Sequence, residues 1–158
     1  MLIFIDWFLP GYKAGGPIQS ISNFVNHFGH EFEISIVTSN KDLGVVLPYA
    51  NIISNVWLEK ENYRIKYLDK QNINKTTYKE LLQEETYDCV YFNSLFSVYF
   101  SLLPLWFAVR YEMSVILAPR GMLGAGALKI SKRKKQVVLW LLKLTGIPKK
   151  IVWQGTAT

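Results

Sequence analysis

The chain has one cysteine, Cys89, among 158 residues, so no internal disulfide can form. That fits a reducing compartment, and the sequence reading places the protein in the cytoplasm. It has two histidines, His27 and His30, three apart. Their spacing puts them on one helix face, but no third ligand accompanies them, so no metal site is expected. It lacks a signal peptide: the apolar start "MLIFIDWFLP" has no basic lead, meets Asp6 early and shows no small-residue cleavage site. Internal repeats and low-complexity tracts are absent. So are a Ser-His-Asp arrangement, a Cys-His arrangement and a carboxylate pair in a loop. Acidic residues are also short, at 12 against 18 Lys and Arg. The resulting +6 favours anionic partners, namely nucleotide phosphates or anionic lipid. Nucleic acid is the weakest of these classes, because the basic residues are spread thinly outside "KRKK" at 132–135 and no nucleic-acid motif is present.

What is present is enough apolar material, 50% of residues, for one domain with a real core. Strand-like and helix-like segments alternate. "LIFIDWFL" (2–9) is a continuous apolar run that predicts a strand covered on both faces. "PIQSISNFVNHFG" repeats apolar residues at helical spacing, with Pro17 suited to its first turn and Gly29 to its end. "FEISIVTS" (32–39) predicts a second strand and "YRIKYLD" (63–69) a third, separated by a turn-rich stretch. Thr77 and Glu80 form a capping-box signature for a helix over 77–85. "YDCVYFNS" (87–94) predicts a buried strand with Cys89 in the core, followed by a helix over 96–111 that Pro104 should kink. "SVILAP" (114–119) predicts a fifth strand. A helix follows in "SKRKKQVVLWLLKLTG", and a sixth strand in "KIVWQGT" (150–156). The series implies an α/β fold with a parallel sheet and helices on both faces. The uncharged run from Cys89 to Val109 has the length of a membrane span, but Asn93, Ser94 and Pro104 interrupt it.

In such a fold ligands collect in loops after strands. Three loops carry candidate residues. In "YKAGGPIQS", Gly15 and Gly16 either let backbone amides approach an anion at a helix start, with Lys13 adding charge, or make a tight turn. In "APRGMLGAGAL", Arg120 and Gly121 either present a guanidinium to a carboxylate or phosphate, or form a solvated loop. Asn93 and Ser94 either bind a sugar hydroxyl or cap the next helix, and capping is the expectation for Ser94. The helix from Lys132, Arg133, Lys134 and Lys135 into "QVVLWLL" is read as core-packed with a solvated first turn. The alternative is a peripheral contact at the inner face of the membrane, with Trp140 at the interface.

Four motifs occur in order: "FLPGYKAGGPIQSISNFVNHFG", "TSNKDLG" with a following "PY", "YFNSLFS" and "APRGMLGAGALKI". Together they resemble the N-terminal domain of bacterial GT-B glycosyltransferases of family 4, retaining enzymes that build surface polysaccharides. The resemblance implies a Rossmann-like, acceptor-side domain over residues 1–158, with the donor-binding C-terminal domain not in this chain. It implies a nucleotide-sugar donor, held mainly by that other domain, and a saccharide or lipid-linked acceptor. It implies that Lys13, Gly15 and Gly16 face the donor phosphates, and that Asn93, Ser94, Arg120 and Gly121 line the cleft. Ser39 and Asp42 fall in a motif with no assigned role. The paired glutamates of the missing domain, and the histidine-aspartate pair of some relatives, are not found, so no catalytic residue and no cofactor is assigned. The chain's stop after a strand carries the expectation of a domain from something longer. The alternative is a non-catalytic binding module, or one subunit of a split transferase.

Overall fold

The computed structural model describes residues 1–120 and 132–155, with the side chains of 132–134 excluded. Among the described residues seven strands form one sheet: β1 (Leu2–Phe4), β2 (Ser35–Ser39), β3 (Trp57–Glu59), β4 (Arg64–Leu68), β5 (Val90–Phe92), β6 (Val115–Leu117) and β7 (Val152–Trp153). Their order is β3-β4-β2-β1-β5-β6-β7. Every pairing is parallel except β3 with β4. From β1 the chain winds outward through β2 and β4 on one side. It returns and winds through β5, β6 and β7 on the other. The direction therefore reverses between β1 and β5, and the loops leaving these two strands diverge there to leave a crevice.

Successive residues of β1 point to opposite faces, and both faces are buried. Leu2 and Phe4 enter one apolar cluster, Ile3 and Ile5 the other. Helix α1 (Gly16–Phe28) covers the second cluster with Ile18, Ile21 and Val25. Each such burial is worth roughly 1.5–3 kcal/mol. Helices α2 (Lys75–Gln83), α3 (Leu103–Arg110) and α4 (Lys132–Thr145) contribute Tyr78, Leu81, Leu105, Phe107 and Leu142 to the first cluster. Helices thus lie on both faces, as the β-α alternation implies.

Several boundaries differ from the sequence reading. β1 ends at Phe4, because the chain bends at Asp6 and Trp7 toward the crevice. β2 begins at Ser35 because Phe32 is still tied to the end of α1 through the Phe28 carbonyl (3.0 Å). β3 was not expected: it begins at Trp57, the last residue of the turn-rich stretch at 40–57, and runs to Glu59. The cap of α2 is Asn74, not Thr77: its side chain accepts from the Thr77 N–H at 3.0 Å. The helix expected over 96–111 is a π segment (Val98–Leu102) running into α3, and Pro104 sits in the first turn of α3, just after the change of helix type. Cys89 stands just before β5 and is half-buried rather than core; burial still pushes its thiol up. Among the described residues, no helix is long and apolar enough to cross a membrane. The uncharged run is divided among β5, a loop, the π segment and α3.

Candidate functional site

The ladder continues past the strand ends and aligns the loops at the carboxyl edge. Ser39 N–H donates to the Asp6 carbonyl (3.2 Å), Asn93 N–H to Phe4 (3.1 Å), Ala118 N–H to Phe92 (2.9 Å) and Gln154 N–H to Leu117 (2.9 Å). The last three set the first residue after β5, β6 and β7 beside the end of the neighbouring strand, and the first ties the end of β2 to the loop after β1.

On the β5–β6–β7 side a polar network results. Arg120 Nε donates to Asn93 Oδ1 at 2.6 Å, and its Nη2 donates to the Tyr91 hydroxyl at 2.9 Å. Tyr91 donates in turn to Gln154 Oε1 at 2.6 Å. Asn93 Nδ2 reaches the Pro17 carbonyl in the first turn of α1 at 3.4 Å. Asn93 therefore joins the start of α1 to the guanidinium across the crevice. Burial pushes the Tyr91 phenol up, and the charge and hydrogen bond of Arg120 pull it back. Arg120 itself has φ of 50°, a left-handed backbone that costs an L-residue about 1 kcal/mol. Strain of this kind persists where surroundings over-determine it. Among the described residues no carboxylate pairs with Arg120. A half-buried cation held by neutral partners can still accept an anion. A cavity of about 80 Å³ opens beside it, against Ser20, Phe24 and Gln154.

The glycine loop is built differently. Asp42 reaches across from the β2 loop and accepts from the N–H groups of Tyr12 (3.0 Å), Lys13 (3.3 Å) and its neighbour Leu43 (2.7 Å). Burial opposes the charge on Asp42. The three N–H donors and the Lys13 ammonium outweigh it and hold the carboxyl below the usual range. Two loop amides that the resemblance offers to a donor phosphate are therefore already engaged by an internal anion. Gly11 allows this approach, since a Cβ there would lie 2.2 Å from the Tyr49 hydroxyl and 3.0 Å from Asp42. Burial and the Asp42 charge push that Tyr49 hydroxyl up to about 12. Gly15 takes φ of 62° and ψ of −116°, a conformation reserved for glycine, and turns the chain into α1. Around Gly16 a Cβ would meet nothing within 4 Å. The Tyr12, Lys13 and Gly15 N–H groups are taken, whereas the start of α1 at Gly16 lies open.

Two further residues belong to the crevice. Asp6, at the end of β1, accepts from Ser97 Oγ at 2.5 Å. Burial pushes its carboxyl up, and the Ser97 hydroxyl and its own backbone N–H recover only part of that. Ser97 also caps the π segment by accepting from the Phe100 N–H (3.1 Å). This displaces Ser94 from the cap expected of it. Ser94 is buried, accepting from the Ser97 N–H (3.3 Å) through Oγ and from Ser101 Oγ (2.6 Å) through its carbonyl.

No family model, curated protein or solved structure matches this chain.

The site is accordingly argued from its geometry. Asn93, Arg120 and the first turn of α1 are brought together. Lys13 is tied through its backbone to Asp42 instead, Ser94 faces the π segment, and Gly121 lies outside the described residues. Ser39 stabilises its own loop by accepting from the Lys41 N–H (3.3 Å). Tyr91, Gln154 and Asp6 complete the crevice without having been singled out in sequence. The signal available for Asp6 was a carboxylate ending an apolar strand; Tyr91 and Gln154 gave none short of the strand order.

Proposed function

We propose that this chain is the N-terminal, acceptor-side domain of a retaining GT-B glycosyltransferase. It takes part in moving a sugar from a nucleotide-sugar donor to a saccharide or lipid-linked acceptor in surface polysaccharide synthesis. The observation that carries this reading is the bridge from Pro17 through Asn93 to Arg120 at the point where strand order reverses. There a positive α1 terminus and a guanidinium without a carboxylate partner face one crevice. A leaving diphosphate gains charge as the sugar departs, and a preoriented cation in a partly desolvated crevice stabilises that charge. Asn93 fixes the guanidinium through Nε and Tyr91 through Nη2, so its plane is set before a ligand arrives. The neutral amide and hydroxyl partners also suit hydrogen bonding to sugar hydroxyls. Asp6 is occupied by Ser97, and its part is to hold the loop after β5.

The test is transfer of radiolabelled sugar from nucleotide-sugar donors to membrane-extracted acceptors. It compares the 158 residues alone with the longest polypeptide that their reading frame encodes. The reading expects transfer only by the longer polypeptide, and saccharide-induced amide shifts at Asn93 and Arg120 in the 158 residues. Robust transfer by the 158 residues alone overturns it.

A further inference from the structure

Charge is divided unevenly along this chain. Residues 1–112 hold nine basic and all twelve acidic residues, a balance of −3; residues 113–158 hold nine basic and none acidic, +9. The last acidic residue is Glu112. Within the basic part, α4 was expected to bury its apolar residues, yet it buries only one side. Leu142 is buried, and Val138 and Leu139 pack against the core. Val137, Trp140, Leu141 and Leu144 are 54%, 60%, 49% and 64% exposed. At about 100° per residue these four occupy one arc of roughly 100° on the outward side. The same helix begins with Lys132, Arg133, Lys134 and Lys135, and Lys143 is exposed beside the stripe. Lys135 lies over the Phe96 ring at 5.2 Å. The first turn of α4 thus abuts the entry to the π segment, whose Val98 and Tyr99 are each 56% exposed.

We propose that this face of α4 docks on an anionic lipid bilayer, with Trp140 and Leu144 entering the headgroup boundary and Lys143 beside them meeting the lipid phosphates. The stripe is one face of a single helix. Its four side chains offer roughly 400–500 Å², well short of the ~800 Å² per partner of a standard protein interface. A second copy would bring the same +9 region against itself, which disfavours self-association. A lipid surface needs neither shape complementarity nor large area. It rewards a helix that pairs Trp and Leu on one arc with a basic flank, and long lysine stems reach the phosphates while the stripe sinks. This proposal is independent of the transferase reading and uses no residue of the crevice.

The experiment is co-sedimentation of the chain with vesicles of phosphatidylcholine containing about one-third phosphatidylglycerol, against phosphatidylcholine alone. The wild type is expected to partition at least tenfold better to the anionic vesicles, and less as salt rises. Trp140→Glu with Leu144→Glu is expected to reduce binding tenfold or more at unchanged far-ultraviolet circular dichroism. Replacing all four residues at 132–135 by Glu should do the same. Because the chain has five tryptophans, quenching by brominated lipid is compared between wild type and Trp140→Phe; the larger share of quenching should vanish with Trp140. Equal partition of wild type and Trp140→Glu/Leu144→Glu overturns the proposal. So does a dimer in sedimentation equilibrium that the same variant dissociates, or retention on immobilised polyglutamate without vesicle binding.

Discussion

The two halves of the carboxyl edge solve opposite problems with similar parts. On the β1–β2 side, backbone amides of the glycine loop meet a carboxylate from the protein itself, Asp42. On the β5–β6–β7 side, among the described residues, a guanidinium meets an amide and a phenol and no carboxylate. The first half is neutralised internally at Tyr12 and Lys13, which leaves the start of α1. The second is open and has a charge to offer. A glycine-rich loop at a helix start is therefore no guarantee of a ligand: what matters is whether its N–H groups are already taken.

Arg120 gives the largest expected contrast between the halves. Arg120→Ala should lower transfer by about 10²-fold in the longer polypeptide, as loss of a preoriented charge donor does. Thermal unfolding of the 158 residues should move little, because the side chain is only half-buried. Arg120→Lys keeps the charge but cannot span Asn93 and Tyr91 together, so it should recover only part of the rate. Equal activity of all three proteins would place the open half outside function.

Asp42→Ala should act the other way, on stability. Removing one carboxylate that holds three N–H groups should cost about 2 kcal/mol, read as a lower urea midpoint. Because the folded carboxyl titrates below its unfolded value of about 3.9, this stabilisation is present above that pH. It is lost as pH falls through the folded value, so wild type and variant should converge in acid. A constant gap across that range would mean the hydrogen bonds do not depend on the charge.

The two adjacent glycines sharpen the comparison within one loop. Gly15→Ala forces an L-residue to φ of 62° and should destabilise by about 1–2 kcal/mol. Gly16→Val meets open space, so unfolding should stay within about 0.5 kcal/mol of wild type while transfer is lost. Normal transfer by Gly16→Val would make the loop wholly architectural.

The smallest effect is expected at Asp6. Its folded carboxyl titrates above its unfolded value, so its contribution is full below the unfolded value and lost as pH rises through the folded one. Asp6→Asn still offers Ser97 an acceptor and should gain stability relative to wild type on going from acid to neutral pH. The opposite drift would show that burial does not dominate there.

The alternation of apolar strands and amphipathic helices made the doubly wound sheet readable, because burying both faces of β1 leaves a continuous apolar run. β3 escaped because its three residues sit among turn-formers. It is held from the neighbouring strand, where Arg64 and Lys66 lie 4.4 and 4.6 Å from the Trp57 ring. The π segment escaped because its residues have ordinary helical composition. Asn93 and Arg120 stood out as polar residues directly after strands. Tyr91 is an aromatic inside an apolar strand, and only the order β5-β6-β7 brings Gln154 to it. Asp42 was visible as a motif residue, but its role depends on a contact thirty positions away with Tyr12.

The network at Arg120 also has a polarity. A guanidinium can only donate, so the Tyr91 oxygen must accept from it, and the single phenolic proton is left for Gln154. Every proton in the row therefore points from the β6 loop toward the β7 loop. Position 154 therefore calls for an acceptor toward Tyr91. A lysine there would compete with Arg120 for the Tyr91 oxygen, and the guanidinium would lose its aim although Asn93 and Tyr91 remained in place.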